Sequence, residues 1–117
     1  MIKSLKWMGV RTDRYQEMRE FYSDKLGLEL FDEESDYVDF LLPNGDRVEL
    51  FAPGSIPDEP LDTPVMGLEV EDVDQARRHF ESRGVEFIGP VRQGKTLRWT
   101  YFRAPDGHVY ELVGPAK

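Results

Sequence analysis

Residues 43–53 read Pro-Asn-Gly-Asp-Arg-Val-Glu-Leu-Phe-Ala-Pro, and residues 105–115 read Pro-Asp-Gly-His-Val-Tyr-Glu-Leu-Val-Gly-Pro. An offset of 62 carries Pro43 to Pro105, Gly45 to Gly107, Glu49 to Glu111, Leu50 to Leu112 and Pro53 to Pro115. In both copies Pro-Asn/Asp-Gly signals a tight turn, and the alternating residues after it signal a strand. An internal repeat of this kind makes the chain a duplicated unit. It also singles out Glu49 and Glu111 as matched carboxylates.

Working outward, residues 53–64 hold four of the eight prolines. Proline lacks the amide proton and fixes φ, so this stretch reads as a linker. It separates a first module, 1–52, from a second, 65–117, within a single domain 1–117. Each module opens with an extended stretch, Trp7–Val10 or Val65–Leu68. An amphipathic helix follows. Asp13 is the expected cap of the first, with Gln16 three residues on, a stripe of Tyr15, Met18, Tyr22 and Leu26, and Gly27 closing. Asp72 is the expected cap of the second, with Gln75, a stripe of Val73, Ala76 and Phe80, and Gly84 closing. Extended segments then follow at 28–31 and 85–88, and at 37–42 and 97–103. Asp32–Asp36 reads as a solvated acidic turn. Each module is therefore β-α-β-β-β, an α+β chain, with a ferredoxin-like arrangement as the other compatible fold.

The composition excludes several function classes. A net charge of −8 argues against nucleic acid, which needs a basic face. It suits a cationic ligand, although solubility alone explains it equally well. There is no cysteine, hence no disulfide, thiolate metal site or cysteine nucleophile. No apolar run approaches the roughly 18 residues of a membrane span. The first residues lack the apolar stretch of a signal peptide, so a cytoplasmic location is expected. No Gly-rich phosphate loop, His-Glu-x-x-His or nucleophile elbow occurs.

The order of three segments resembles the vicinal oxygen chelate superfamily of glyoxalases, bleomycin-resistance proteins and extradiol dioxygenases. These are Phe21–Leu28 after the first helix, Gly67–Val73 leading into the second, and Tyr101–Leu112 near the end. The resemblance implies two βαβββ modules forming curled mixed sheets around a cavity, usually in a homodimer. In metal-using members, one ligand comes from near the start and one from near the end of each module. The end positions match Glu49 and Glu111; the start positions match Trp7 and Val65. Neither Trp nor Val offers a suitable lone pair. No tightly held cofactor is therefore expected, with a divalent metal on Glu49 and Glu111 as the alternative.

Alternation places Arg47, Glu49 and Phe51 on one strand face, and Val48 and Leu50 on the other, under the helix. Trp7 and Arg11 share parity on the opening strand. Trp99, Tyr101 and Phe102 lie on a later strand, where at least one is expected to line the cavity while its neighbour packs under a helix, and the register leaves open which does which. The candidate ligand-binding set is thus Trp7, Arg11, Arg47, Glu49, Phe51, Trp99, Tyr101 and Glu111. Glu49 and Glu111 are also the candidate catalytic residues. Two carboxylates held close resist ionising together, which suits a base or a cation site. The alternative is that each pairs with Arg11, Arg47, Arg98 or Arg103 in a structural network. Trp7 is either a stacking platform or a core filler. His79 reads as a solvent-side helix residue and His108 as a turn residue. The expected function is binding of a small molecule. The alternative is a metal-dependent lyase, isomerase or dioxygenase of the same superfamily.

Overall fold

The turn that opens each repeat folds the same way twice in the computed structural model, which describes residues 1–117. Leu42 N–H donates to Asp46 O at 2.8 Å and Gly45 N–H to Leu42 O at 2.9 Å. At the offset of the repeat, Ala104 donates to His108 O at 2.8 Å and Gly107 to Ala104 O at 2.9 Å. Asn44 Oδ1 and Asp106 Oδ1 accept from the N–H of Asp46 and His108, each at 3.1 Å. Gly45 and Gly107 stand at φ +91° and +89°. A Cβ in that left-handed region costs about 1–2 kcal/mol, which explains the two glycines.

The elements run β1 Ser4–Arg11, α1 Tyr15–Glu20, a π-helical turn Phe21–Lys25, β2 Glu29–Glu33, β3 Tyr37–Leu41 and β4 Arg47–Phe51. They continue β5 Val65–Glu69, α2 Val73–Ser82, β6 Glu86–Gln93, β7 Leu97–Arg103 and β8 Val109–Pro115. The α+β reading and the doubled β-α-β-β-β order hold. Strands of the first half lie in the order β2-β3-β4-β1, and those of the second β6-β7-β8-β5. The β1–β4 and β5–β8 pairs are parallel and the others antiparallel. The chain divides into two compact units, Trp7–Val65 and Met1–Lys6 with Met66–Lys117.

Each unit has its own core on the helix side of its sheet. Val10, Val38, Phe40 and Leu50 are buried in the first, with Tyr15, Met18, Tyr22, Leu28 and Val48 packed on them. Val70, Val73, Ala76 and Leu112 are buried in the second, with Phe80 and Phe102 among the residues covering them. Asp72 caps α2 as expected, its Oδ1 accepting from Gln75 N–H at 3.0 Å. Asp13 does not cap α1. The hydroxyl of Thr12 accepts from Arg14 N–H at 3.1 Å instead, and Arg14 occupies the cap position. A Ser/Thr hydroxyl two residues upstream closes such a turn by itself.

Two further expectations need correction. Leu26 is not on the buried stripe but is 53% exposed. The helix widens after Glu20, so that Leu26 N–H reaches Phe21 O at 2.9 Å, five residues back. That turn keeps Tyr22 against Phe40, with ring centroids 6.0 Å apart, and rotates Leu26 outward. Asp32 is solvated as expected but lies in a strand rather than a turn. A bulge between Leu30 and Asp32 extends β2 to Glu33 and sets Asp32 opposite Asp39.

The Pro-rich segment packs with the first unit. Arg11 Nη1 donates to Ser55 O at 3.1 Å and Ile56 O at 2.9 Å. Its Nη2 donates to Glu59 O at 3.2 Å and to Asp62 Oδ1 at 2.7 Å. Leu61 is fully buried beside this clasp. Arg11→Met should cost about 2 kcal/mol, because three part-buried carbonyls lose a charged donor. The Asp62 leg contributes little, since that side chain is 85% exposed. Urea denaturation gives the loss, and amide exchange over 53–64 should accelerate. Unchanged exchange in that segment would show that the clasp is not what orders it.

Candidate functional site

Glu49 lies on the face of the first sheet that turns away from α1. The parallel register sets Trp7 beside Arg47 and Gly9 beside Glu49. Trp7 is buried, at 9% exposure. Its six-membered ring lies across the bare backbone of Gly9. A Cβ built there would fall 2.1 Å from indole Cη2 and Cζ2. In this pose Trp7 Nε1–H donates to Glu49 Oε1 at 3.0 Å. Phe51 flanks the indole, with centroids 6.5 Å apart and planes tilted by 52°. Gly9 therefore seats the ring that holds the carboxylate.

A second acid in this group escaped the sequence reading. Asp39 on β3 is the direct cross-strand partner of Glu49, and directly opposed residues share a face. It is 4% exposed. Arg47 Nε lies 3.4 Å from its Oδ2, while its buried Oδ1 has no hydrogen-bond partner. The guanidinium of Arg47 also stacks over Phe31, 4.4 Å from the ring centroid. Asp32, on β2, accepts from Tyr37 OH at 2.6 Å. This bond pushes the Tyr37 phenol up to about 12.

The electrostatics follow from crowding acids onto a buried face. Glu49 is pushed up to about 7, first by burial and then by the charge of Asp39, with the Trp7 N–H opposing. Asp39 is pushed up to about 6, chiefly by burial, with Arg47 pulling the other way. At neutral pH a carboxyl near 7 can both give and take a proton, or accept a cation. The sequence left open whether Glu49 is held by an arginine. Arg47 pairs with Asp39, and Arg11 is taken up by the 53–64 segment. Trp7 is the side chain that hydrogen-bonds Glu49.

In the second unit, Glu111 lies opposite Tyr101 and Trp99 opposite Val113. This settles the register left open by the sequence. Trp99 and Tyr101 share the face of Glu111, and Thr100 and Phe102 turn toward α2. Tyr101 and Glu111 are both buried, at 2% and 4% exposure. Arg98 makes a two-pronged pair with Asp74 on α2, at 2.9 and 3.0 Å. Arg103 donates to Gly107 O at 2.9 Å. His108 is exposed in its turn, 3.1 Å from Asp106.

A divalent ion does not fit the donors at the four positions the resemblance assigns. Trp7 turns an N–H, not a lone pair, toward Glu49. Val65 supplies a buried isopropyl group.

Comparison with solved structures gives the same architecture. Methylmalonyl-CoA epimerase from Mycobacterium tuberculosis superposes with a TM-score of 0.76 at 24% identity, over 99% of this chain and 90% of that one. A variant of Streptomyces coelicolor methylmalonyl-CoA epimerase in complex with 2-nitronate-propionyl-CoA gives 0.78 at 19% identity, over 100% of both chains. An extradiol ring-cleaving dioxygenase from B. fuscum gives 0.74 at 18% identity, over 99% of this chain and 33% of that one. No match is found among curated protein sequences. The sequence profile of one family matches residues 4–112. With the doubled βαβββ fold, that match makes this chain a member of the Glyoxalase/Bleomycin resistance protein/Dioxygenase superfamily.

Proposed function

We propose that this chain is a small-molecule-binding member of the superfamily, working in the cytoplasm as a homodimer and without a tightly held metal. The observation that carries the reading is Glu49, held by the Trp7 indole and raised to about 7 among acids rather than neutralised by an arginine. Trp7 and Phe51 supply an aromatic wall and Glu49 a polar anchor, the usual make-up of a ligand site. In the second unit, Trp99, Tyr101 and Glu111 repeat that chemistry on one sheet face. Exposed Leu26, Leu30 and Phe31 offer apolar surface for self-association. The lack of lone pairs at Trp7 and Val65 disfavours the metal-dependent alternative.

A thermal-shift panel of planar and cationic small molecules tests the proposal. A compound at 100 times its dissociation constant should stabilise the fold by about 2.7 kcal/mol. Trp7→Ala should abolish the shift and Glu49→Gln should weaken it. A broad panel without any shift overturns the reading, as does a shift that both variants leave intact.

A further inference from the structure

We infer that Asp39 and Glu49 together form a subsite for the N–H edge of an organic cation, an amidinium, guanidinium or ammonium group carried by the ligand. The inference rests on the small-molecule reading above and names the ligand's chemical class. Its basis is a count of acceptors. Trp7 occupies Glu49 Oε1. Arg47 approaches Asp39 Oδ2. That leaves Glu49 Oε2 and Asp39 Oδ1 on the same face. Asp39 Oδ1 is buried and has no partner in the protein. A buried acceptor without a protein donor is costly, so a donor that reaches it gains more than one meeting solvated groups.

The kind of donor follows from what the face already holds. Asp32, Asp39 and Glu49 lie on three neighbouring strands, set in line by the pairings Asp32↔Asp39 and Asp39↔Glu49. Arg47 is the cation packed among them, and it shows how this surface takes a planar cation. Its guanidinium lies within ion-pair distance of Asp39 and over the Phe31 ring. A ligand cation at the other two acceptors would meet Trp7 and Phe51 in the same role. A bare metal ion is a poorer match, since no three His, Cys, Asp or Glu side chains gather closely enough to hold one.

The probes are benzamidine and its neutral isostere benzamide, which share a ring and differ in charge and donor count. Isothermal titration of the full chain should show benzamidine binding at least about tenfold tighter than benzamide, the range expected for charged hydrogen bonds. Asp39→Asn should bring the two within about twofold of each other. Glu49→Gln provides a second variant should Asp39→Asn fail to fold. The wild-type comparison needs neither. Equal binding of the two probes overturns the inference and leaves the small-molecule reading standing. A preference that survives both substitutions also overturns it. If neither probe binds the wild type, the inference fails, and the broader panel alone decides the reading beneath it.

Discussion

Gly114→Ala should cost about 3 kcal/mol, the upper end of what one added methyl does in a packed interior. Gly114 is buried in β8. A Cβ there would fall 2.5 Å from the backbone oxygen of Val70 and 3.3 Å from Val73 Cγ2. The oxygen cannot swing aside as a side chain does. Val70 N–H is bonded to Val113 O at 2.9 Å, which ties the two segments together at the point of contact. Relief would have to come from parting β8 from the chain that enters α2, whose Val73 is in the core. Gly9→Ala is the instructive contrast. The atoms nearest its new methyl belong to the far end of the Trp7 ring. The indole can leave, so that substitution should cost less, about 1–2 kcal/mol, while releasing Glu49. Urea denaturation of both variants checks the ranking. A Gly114→Ala protein as stable as the parent would show that β8 and Val70 are not in fixed contact.

Stability should fall by about 3 kcal/mol between pH 5 and pH 8, with Glu49 the main cause. The sign follows from the direction of the shifts. Glu49 rises from its ordinary 4.5 to about 7, and Asp39 from 3.8 to about 6. The folded state therefore holds protons that the unfolded chain has already released. That advantage is lost as pH rises through the window between the unfolded and folded values. A carboxylate hydrogen-bonded to cations near the surface behaves in the opposite sense. Asp74, lowered to about 2 by Arg98 and Lys117, contributes stability that disappears only in strong acid. Glu49→Gln mimics the protonated side chain, so its profile should be nearly flat over the same range, apart from the Asp39 share. Urea midpoints at half-unit pH steps measure both curves. A parent stability that is flat or rises from pH 5 to 8 rules the account out.

The fold was legible because its strongest signals are local and occur twice. Pro43–Gly45 and Pro105–Gly107 each set a turn and a register, and the hydrogen bonds repeat with the residues. Helix α2 was legible from Asp72 through Gly84 because cap, stripe and closing glycine agree. Helix α1 was less so. The Thr12 hydroxyl displaced Asp13, and the π-helical turn has a period that no stripe of 3.6 can follow.

The candidate site was half legible. Glu49 was singled out from the repeat, and Trp7 from parity together with the family resemblance. Asp39 was missed because Tyr37–Leu41 reads as an aromatic, apolar strand with one stray acid. A signal was present, however. The same offset of 62 that links Glu49 to Glu111 links Asp39 to Tyr101, itself a candidate. Asp32 was hidden more deeply. The bulge after Leu30 adds a residue to β2, and parity counted along the strand then gives the wrong face.

The contact between Trp7 Nε1 and Glu49 has a use beyond architecture. An indole's colour responds to charge beside its pyrrole ring, and here the nearest charge is the one that comes and goes near neutrality. With Trp99 replaced by phenylalanine, the emission of this single chromophore would report whether that acid is ionised. The protein thus carries an optical gauge of its own polar centre, with no label attached.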